Sequence, residues 1–160
     1  MWQRLQTVFL ALVAVLMIAG LFFPIWRYID DSGTRYELYP IHYSITTPSD
    51  DGDGIKNTAY FPYSFTAVLM IAAATVAVQA IRRYDNRLTQ MKLTALNTFL
   101  LMGVMGAAYY FSVQLNKELN YIGLSRIALW VIFGAVASNW LAMRFIRRDE
   151  KIVRDSERLR

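Results

Sequence analysis

The sequence predicts an all-α membrane protein: a bundle of four transmembrane helices with a small β-stranded extracytoplasmic loop and a cytoplasmic amphipathic C-terminal helix. Three observations predict this fold class: runs without charged residues, uneven basic charge between the connections, and strand-like alternation in the first connection. The charge-free runs cover residues 5–26, 57–81, 93–116 and 127–143. Because about 20 apolar residues cross the hydrocarbon core of a bilayer, each run is close to the length of one span.

Composition narrows the function classes. With 160 residues, four spans and their connections fill the chain, so we expect a single domain over residues 1–160. Cysteine is absent, which excludes disulfides and cysteine-rich zinc sites. The net charge of +5 is more typical of membrane topology and contact with anionic lipid than of nucleic-acid binding. We therefore expect the lipid bilayer as a partner, and no nucleic acid.

The first span is expected over residues 5–26, with Pro24 ending or kinking the helix. A cleaved signal peptide is disfavoured because the apolar run is long and no small-x-small cleavage site follows it. Trp26 is interpreted as an anchor at the membrane interface.

The first connection, residues 27–60, is expected to be an extracytoplasmic loop. Apolar and polar residues alternate over 34–39 and again over 41–46, which predicts two or three short antiparallel strands over the outer ends of the helices. Residues 47–58 are predicted to form an exposed, mobile excursion.

Two features of this loop resemble metal or catalytic sites. Residues 50–54 (Asp-Asp-Gly-Asp-Gly) resemble the start of an EF-hand loop, but Tyr60 falls where the closing glutamate is required. An acidic turn is favoured over a calcium site. His42, the only histidine, has no base, nucleophile or metal partner in the sequence. We expect no catalytic residue, cofactor or metal.

The remaining spans are expected over about 61–81, 93–115 and 122–143, with a tight third connection at 116–120 and residues 121–125 winding into the last helix. Small residues on these spans indicate close helix packing. The pair Gly134-x-x-x-Ser138 favours packing within one chain over a dimer interface, and a homo-oligomer stays open. Candidate interhelical polar contacts are Asn97, Gln114, Ser138 and Asn139.

Basic residues divide unevenly between the two ends of the predicted spans. Arg4, the connection 82–92 and the tail carry twelve Lys and Arg, whereas the first and third connections carry five. Because cytoplasmic segments are enriched in Lys and Arg, both termini are predicted to be cytoplasmic.

The tail, residues 144–160, is predicted to be an amphipathic helix that continues from the last span or is hinged to it. Apolar residues recur every seven positions at Phe145, Ile152 and Leu159. Docking on the membrane or on a protein partner is favoured slightly over a solvated terminus. The candidate docking residues are Phe145, Arg147, Arg148, Ile152, Val153, Arg154 and Leu159.

Both ends of the chain carry residues that resemble a known family. Gln-Arg-Leu-Gln-Thr at 3–7, and Asn139, Arg144, residues 147–153 and 158–160, resemble the opening and closing signatures of an uncharacterised four-helix inner-membrane family of Bacteroidetes, a family of a domain of unknown function. Residues 140–143 depart from that pattern. The resemblance implies a multi-pass protein of the bacterial cytoplasmic membrane with no known activity.

The function favoured by these features is a non-enzymatic scaffold or accessory subunit of a membrane complex. The alternative is a small oligomeric carrier or channel whose polar path uses Asn97, Gln114 and Asn139. An enzyme acting on lipid is disfavoured because it would require clustered His, Asp or Glu at one membrane face, and only the acidic outer loop comes near such a cluster.

Overall fold

The computed structural model describes residues 2–48, 54–120, 123–125 and 127–158. In this part of the chain, helices alternate with strands that form one sheet. The elements are α1 (Trp2–Gly20), β1 (Trp26–Ile29), β2 (Arg35–Leu38), β3 (Tyr43–Thr47), β4 (Ile55–Ala59), α2 (Ser64–Arg82), α3 (Arg87–Leu119), β5 (Leu124–Ser125) and α4 (Ile127–Arg158).

The sheet joins two connections that are far apart in sequence. Its strand order is β4-β3-β2-β1-β5, and each neighbouring pair is antiparallel. The first four strands come from the α1–α2 connection, and β5 comes from the α3–α4 connection, where Leu124 lies opposite Arg27. Both connections therefore lie at the same end of the helices, and the α2–α3 connection lies at the other end.

The all-α fold class is wrong. Within the described residues the protein has an α+β fold, in which one face of a five-stranded antiparallel sheet covers one end of α1–α4. The strand β4 (Ile55–Ala59) begins inside 47–58, which was predicted to be an exposed, mobile excursion. The strand β5 occupies Leu124–Ser125, which was predicted to begin the last helix. Pairing with β3 and with β1, rather than local pattern, places these two segments in the sheet. The acidic residues 50–53 lie outside the described part.

The first helix is shorter than the first charge-free run. It ends at Gly20, and the chain turns through Leu21–Phe23 before β1 begins at Trp26. Trp26 is only 1% exposed, so it is a core residue of the sheet and not a surface anchor. Three helices are long and apolar enough to cross a membrane, namely α2, α3 and the Ile127–Val153 part of α4. The apolar part of α1, Leu5–Gly20, is shorter.

Each helix packs against two neighbours. The contacts join α1 to α2 and α4, and α3 to the same two helices. Small residues permit this packing: a Cβ atom on Gly134 of α4 would lie 3.6 Å from Leu16 of α1. Gly134 thus serves packing within one chain, which is the interpretation favoured for Gly134-x-x-x-Ser138.

The main core is continuous from the helices into the sheet. Trp26, Leu38 and Tyr43 project from one sheet face and are buried in the same cluster as Leu101 and Ile132 of the helices. The ring of Tyr63, just before α2, lies 5.4 Å from that of Tyr43 and 5.3 Å from that of Phe111 in α3. Because burial of a large apolar side chain contributes about 1.5–3 kcal/mol, these contacts fasten the sheet to the helix ends.

The outward faces of the helices are also apolar. Soluble monomers rarely expose continuous apolar surface of more than a few hundred Å². Here each helix carries large apolar side chains that are at least two-fifths exposed. They are Leu5, Val8, Leu12, Val15 and Ile18 on α1; Phe65, Val68, Ile71 and Val78 on α2; Leu88, Leu96, Phe99, Met102, Tyr109 and Tyr110 on α3; and Ile127, Trp130, Phe133, Trp140 and Ile152 on α4.

Candidate functional site

A hydrogen-bonded polar cluster joins α3 to α4 inside the helices. Asn97 donates through Nδ2 to Oδ1 of Asn139 at 3.1 Å. Asn139 in turn donates to Oγ1 of Thr98 at 2.9 Å and to the carbonyl oxygen of Thr94 at 3.2 Å. Asn97, Thr94 and Asn139 are buried. Each helix therefore satisfies polar groups of the other in a setting where an unpaired group costs about 1–3 kcal/mol.

The cluster continues toward the start of α3. Thr94 donates its hydroxyl to the carbonyl oxygen of Gln90 at 2.8 Å, one turn earlier. The Gln90 side chain is 0% exposed, and neither of its amide atoms has a hydrogen-bond partner among the described residues. Oδ1 of Asn97 is unpaired in the same way. The site holds α3 and α4 in one register and keeps unused hydrogen-bonding groups in its interior.

Two of the predicted polar residues lie elsewhere. Gln114 donates to Glu118 at 3.0 Å within α3, on an exposed face. Along the helix it stands about 25 Å from Asn97, at a rise of about 1.5 Å per residue. Ser138 donates at 2.7 Å to the carbonyl oxygen of Gly134 in its own helix. The structure thus brings together Asn97 and Asn139 and leaves Gln114 and Ser138 with partners in their own helices.

Sequence reasoning missed Gln90 and Thr94. The available signal was their spacing: positions 90, 94 and 97 follow the i, i+4, i+7 pattern of one helix face. A polar stripe on an otherwise apolar helix indicates that a neighbouring helix carries a polar partner. Which helix supplies it is a property of the tertiary fold.

The tail is a direct continuation of α4, with no hinge before Arg158. Its first residues pack inward: Phe145 stacks on Phe9 of α1 with ring centroids 5.6 Å apart, and Ile146 is buried. Arg87, at the start of α3, donates to the carbonyl oxygen of Asp149 at 3.3 Å. These contacts attach the tail to α1 and α3 as far as Asp149.

Beyond this attachment the candidate docking residues differ in exposure. Arg147 and Arg148 are exposed, and Arg148 has an interaction within the fold. Ile152 is 53% exposed, whereas Val153 is half-buried. Arg154 lies within α4, and Leu159 lies outside the described residues.

The side chain of Asn116 attaches the sheet to α3 by hydrogen bonds. The side-chain oxygen of Asn116 accepts two hydrogen bonds of 2.9 Å, one from Nε1 of Trp26 and one from the backbone N–H of Gly123. This single amide therefore links the last turn of α3 to β1 and to the segment that leads into β5.

The outer sheet face carries a small group of ionisable residues. Arg27 and Glu37, opposite each other on β1 and β2, form an ion pair, and the Tyr39 hydroxyl donates to Glu37 at 3.3 Å. Burial, and then the neighbouring Glu37 carboxylate, raise the pKa of Tyr39. Burial, with a smaller contribution from Lys56, lowers the pKa of His42. Among the described residues, no group of three or more His, Asp or Glu side chains is placed to hold a metal ion.

The comparison with known families covers nearly the whole chain. The model of a family described as a domain of unknown function, DUF4293, matches residues 2–159. The chain belongs to this family. The resemblance to a family of a domain of unknown function is thereby confirmed. No curated protein matches this DUF4293 chain.

Proposed function

We propose that this DUF4293 chain is a multi-pass protein of a bacterial cytoplasmic membrane, of Bacteroidetes origin, and serves there as a non-enzymatic scaffold or accessory subunit. The observation that carries this proposal is the apolar exterior of α1–α4, combined with a long extension of α4 beyond it. The exterior suits lipid, and the extension suits a protein partner.

The membrane part rests on helix length and on exposure. The helices α2, α3 and α4 are long and apolar enough to cross, and the exposed face of α1 is apolar as well. The buried side chains that join α3 to α4 are uncharged, as suits helix contacts in a bilayer, where hydrogen bonds between helices replace those to water.

The charge distribution supports the orientation. By position in the sequence, twelve Lys and Arg lie in or within a few residues of the terminal segments and the α2–α3 connection, and five lie in or within a few residues of the two connections that contribute strands to the sheet. Under the positive-inside rule, the sheet is extracytoplasmic and both termini are cytoplasmic.

The scaffold part rests on the end of α4. After Asp149 the helix continues through Arg158, a rise of roughly 14 Å at about 1.5 Å per residue. Ile152, which follows Lys151 and precedes Val153, is an exposed apolar residue on this extension. An amphipathic helix with an exposed apolar position is a common means of docking into a partner's groove. The scaffold is placed ahead of a carrier because Gln114 does not join Asn97 and Asn139.

Purification from the native membrane in a mild detergent, followed by mass spectrometry, tests the proposal. We expect a reproducible protein partner with the wild-type chain and its loss after deletion of residues 149–160. We expect the same loss with Ile152→Ser, which removes only the exposed apolar side chain.

Lys151→Ser is the matched control, because it changes an exposed neighbour on the same extension. It should keep the partner. A lone chain or a homo-oligomer as the only purified species, or a partner kept by the deletion variant, would contradict the scaffold role.

A further inference from the structure

Two pockets lie in line along the α3–α4 contact, and together they are named the α3–α4 groove. Its first part, of about 340 Å³, is lined by Met105 and Tyr109 of α3 and by Leu129, Trp130 and Phe133 of α4. Its second part, of about 410 Å³, is lined by Thr98 of α3 and by Val136, Trp140, Met143, Arg144 and Arg147 of α4.

The two parts follow one line on each helix. On α4, positions 129, 133, 136 and 140 are spaced i, i+4, i+7 and i+11, and on α3 positions 98, 105 and 109 follow the same helical repeat. Most residues that line the groove are apolar. Its basic residues, Arg144 and Arg147, lie at the end where α4 approaches its cytoplasmic extension.

The basic end is arranged for an anion. Arg144 lies over the Trp140 ring, with its guanidinium carbon 5.6 Å from the ring centroid, and Arg147 stands one turn further along the helix. Both arginines are exposed, and neither forms an ion pair with an acidic side chain of the described residues. Guanidinium groups bind phosphate oxygens with two parallel hydrogen bonds, so this pair is suited to a phosphate.

The distance from the arginines to the apolar end of the second pocket matches the hydrocarbon thickness of one bilayer leaflet. From Arg147 back to Val136, α4 rises about 16 Å at about 1.5 Å per residue. Half of the hydrocarbon core of a bilayer is about 15 Å. An acyl chain can thus follow Met143, Trp140 and Val136 while its phosphate stays at Arg144 and Arg147.

We infer that this α3–α4 groove binds one anionic phospholipid of the cytoplasmic leaflet. The inference rests on the proposed membrane location. Arg144 and Arg147 hold the phosphate, and the groove floor holds an acyl chain. Thr98 lies at the floor with its hydroxyl already engaged by Asn139 and by the carbonyl oxygen of Thr94, so the polar cluster shapes this wall of the lipid site.

Native mass spectrometry of the full chain, released from nanodiscs, tests the assignment. The probes are phosphatidylglycerol and phosphatidylcholine with identical acyl chains. We expect one retained phosphatidylglycerol per chain and a preference for it over phosphatidylcholine. The double variant Arg144→Gln/Arg147→Gln should lose roughly thirtyfold in apparent affinity for phosphatidylglycerol, as the contribution of two basic residues near an anionic headgroup implies.

The matched control is Arg82→Gln/Arg83→Gln, which removes the same charge from exposed residues near the same end of the helices but outside the groove. It should retain phosphatidylglycerol as the wild type does. Equal retention of both lipids, or equal loss in both double variants, would overturn the site. A mass of two chains without lipid would assign the groove to a second copy instead.

The outcomes separate the two proposals. Failure of the chain to enter nanodiscs contradicts the membrane location itself. Entry without selective lipid retention contradicts only the groove.

Discussion

Single side chains at the sheet–helix boundary carry more than one contact. The Asn116 oxygen accepts from both Trp26 and Gly123, and the backbone of Gly123 runs directly against the Trp26 ring. A Cβ atom at position 123 would overlap atoms of that indole. Only glycine permits the indole, the amide and the backbone to meet in this arrangement.

Gly123→Ala is therefore expected to displace the Trp26 ring and to weaken both hydrogen bonds to Asn116. Overpacking a tight core typically costs about 1–3 kcal/mol, so the melting temperature of the purified protein should fall clearly. Gly106→Ala is the control, because a Cβ there meets no atom within 4 Å. Equal melting temperatures for the two variants would show that Trp26 is not confined as described.

The pKa of His42 gives a prediction about pH. Burial and Lys56 lower that pKa below its ordinary value of 6.5, against a raising effect of Glu37. The unfolded chain therefore takes up the proton more readily than the folded chain. The stabilising contribution is complete above the unfolded value and is lost as the pH falls through the lower folded pKa.

The range from pH 7.5 to pH 5.5 extends about one unit on either side of the ordinary histidine pKa of 6.5. As the pH falls through this range, the wild type should lose stability relative to His42→Gln, as measured by chemical denaturation. The ring of His42 stacks on Tyr39 with centroids 5.1 Å apart and lies 5.8 Å from that of Tyr60. A constant stability difference between the two proteins over this range would show that folding leaves the pKa of His42 unchanged.

At the scale of elements, α3 and α4 are joined by a few polar contacts within an otherwise apolar interface. Asn139 makes three of these contacts, to Asn97, Thr94 and Thr98. Ser138, its neighbour in sequence, bonds only within α4. The two positions therefore separate an interhelical role from a local one.

Asn139→Leu should lower the free energy of unfolding by about 1–3 kcal/mol, because Asn97 would then keep an unpaired buried amide. Ser138→Ala, the matched control, should change it by less than about 0.5 kcal/mol. A double-mutant cycle of Asn139→Leu with Asn97→Leu should show a coupling of at least about 0.5 kcal/mol. Additive effects of the two substitutions would mean that the two amides act independently.

The sequence predicts some elements better than others, for a physical reason. The strands β2 and β3 alternate in apolar character because one of their faces covers the helix ends, and that alternation is local. The strand β4 is exposed throughout, and its only apolar residues are Ile55 and Ala59. Hydrogen bonding to β3, rather than its own residue pattern, therefore makes this segment a strand. Strands such as β4 and β5, which are set by pairing with another segment, have no alternating pattern in their own sequence.

Charge-free runs have a related weakness. They mark segments without charge, and both lipid and protein core exclude charge. The run 5–26 therefore includes α1, a turn and Trp26 of β1, which is buried by protein. The Asn97–Asn139 contact was predictable as a polar pair on facing helices. The separation of Gln114 from Asn97 already follows from their positions on one helix, about 25 Å apart at a rise of about 1.5 Å per residue.

At the scale of the whole molecule, the sheet and the basic segments lie at opposite ends of the helices. The pairing of β5 with β1 fixes this arrangement, because it places the first and third connections in one sheet at the same end of the helices. The proposed cytoplasmic placement of the termini then predicts that the sheet faces the other compartment.

The absence of cysteine makes this orientation directly measurable, since any introduced thiol is unique. Asn57→Cys places it on exposed β4, and Tyr84→Cys places it in the α2–α3 connection, where Tyr84 is 61% exposed. In spheroplasts, a membrane-impermeant maleimide should label the first variant and should label the second only after permeabilisation. Labelling of both before permeabilisation would contradict the membrane location, and the reverse pattern would place the termini outside the cytoplasm.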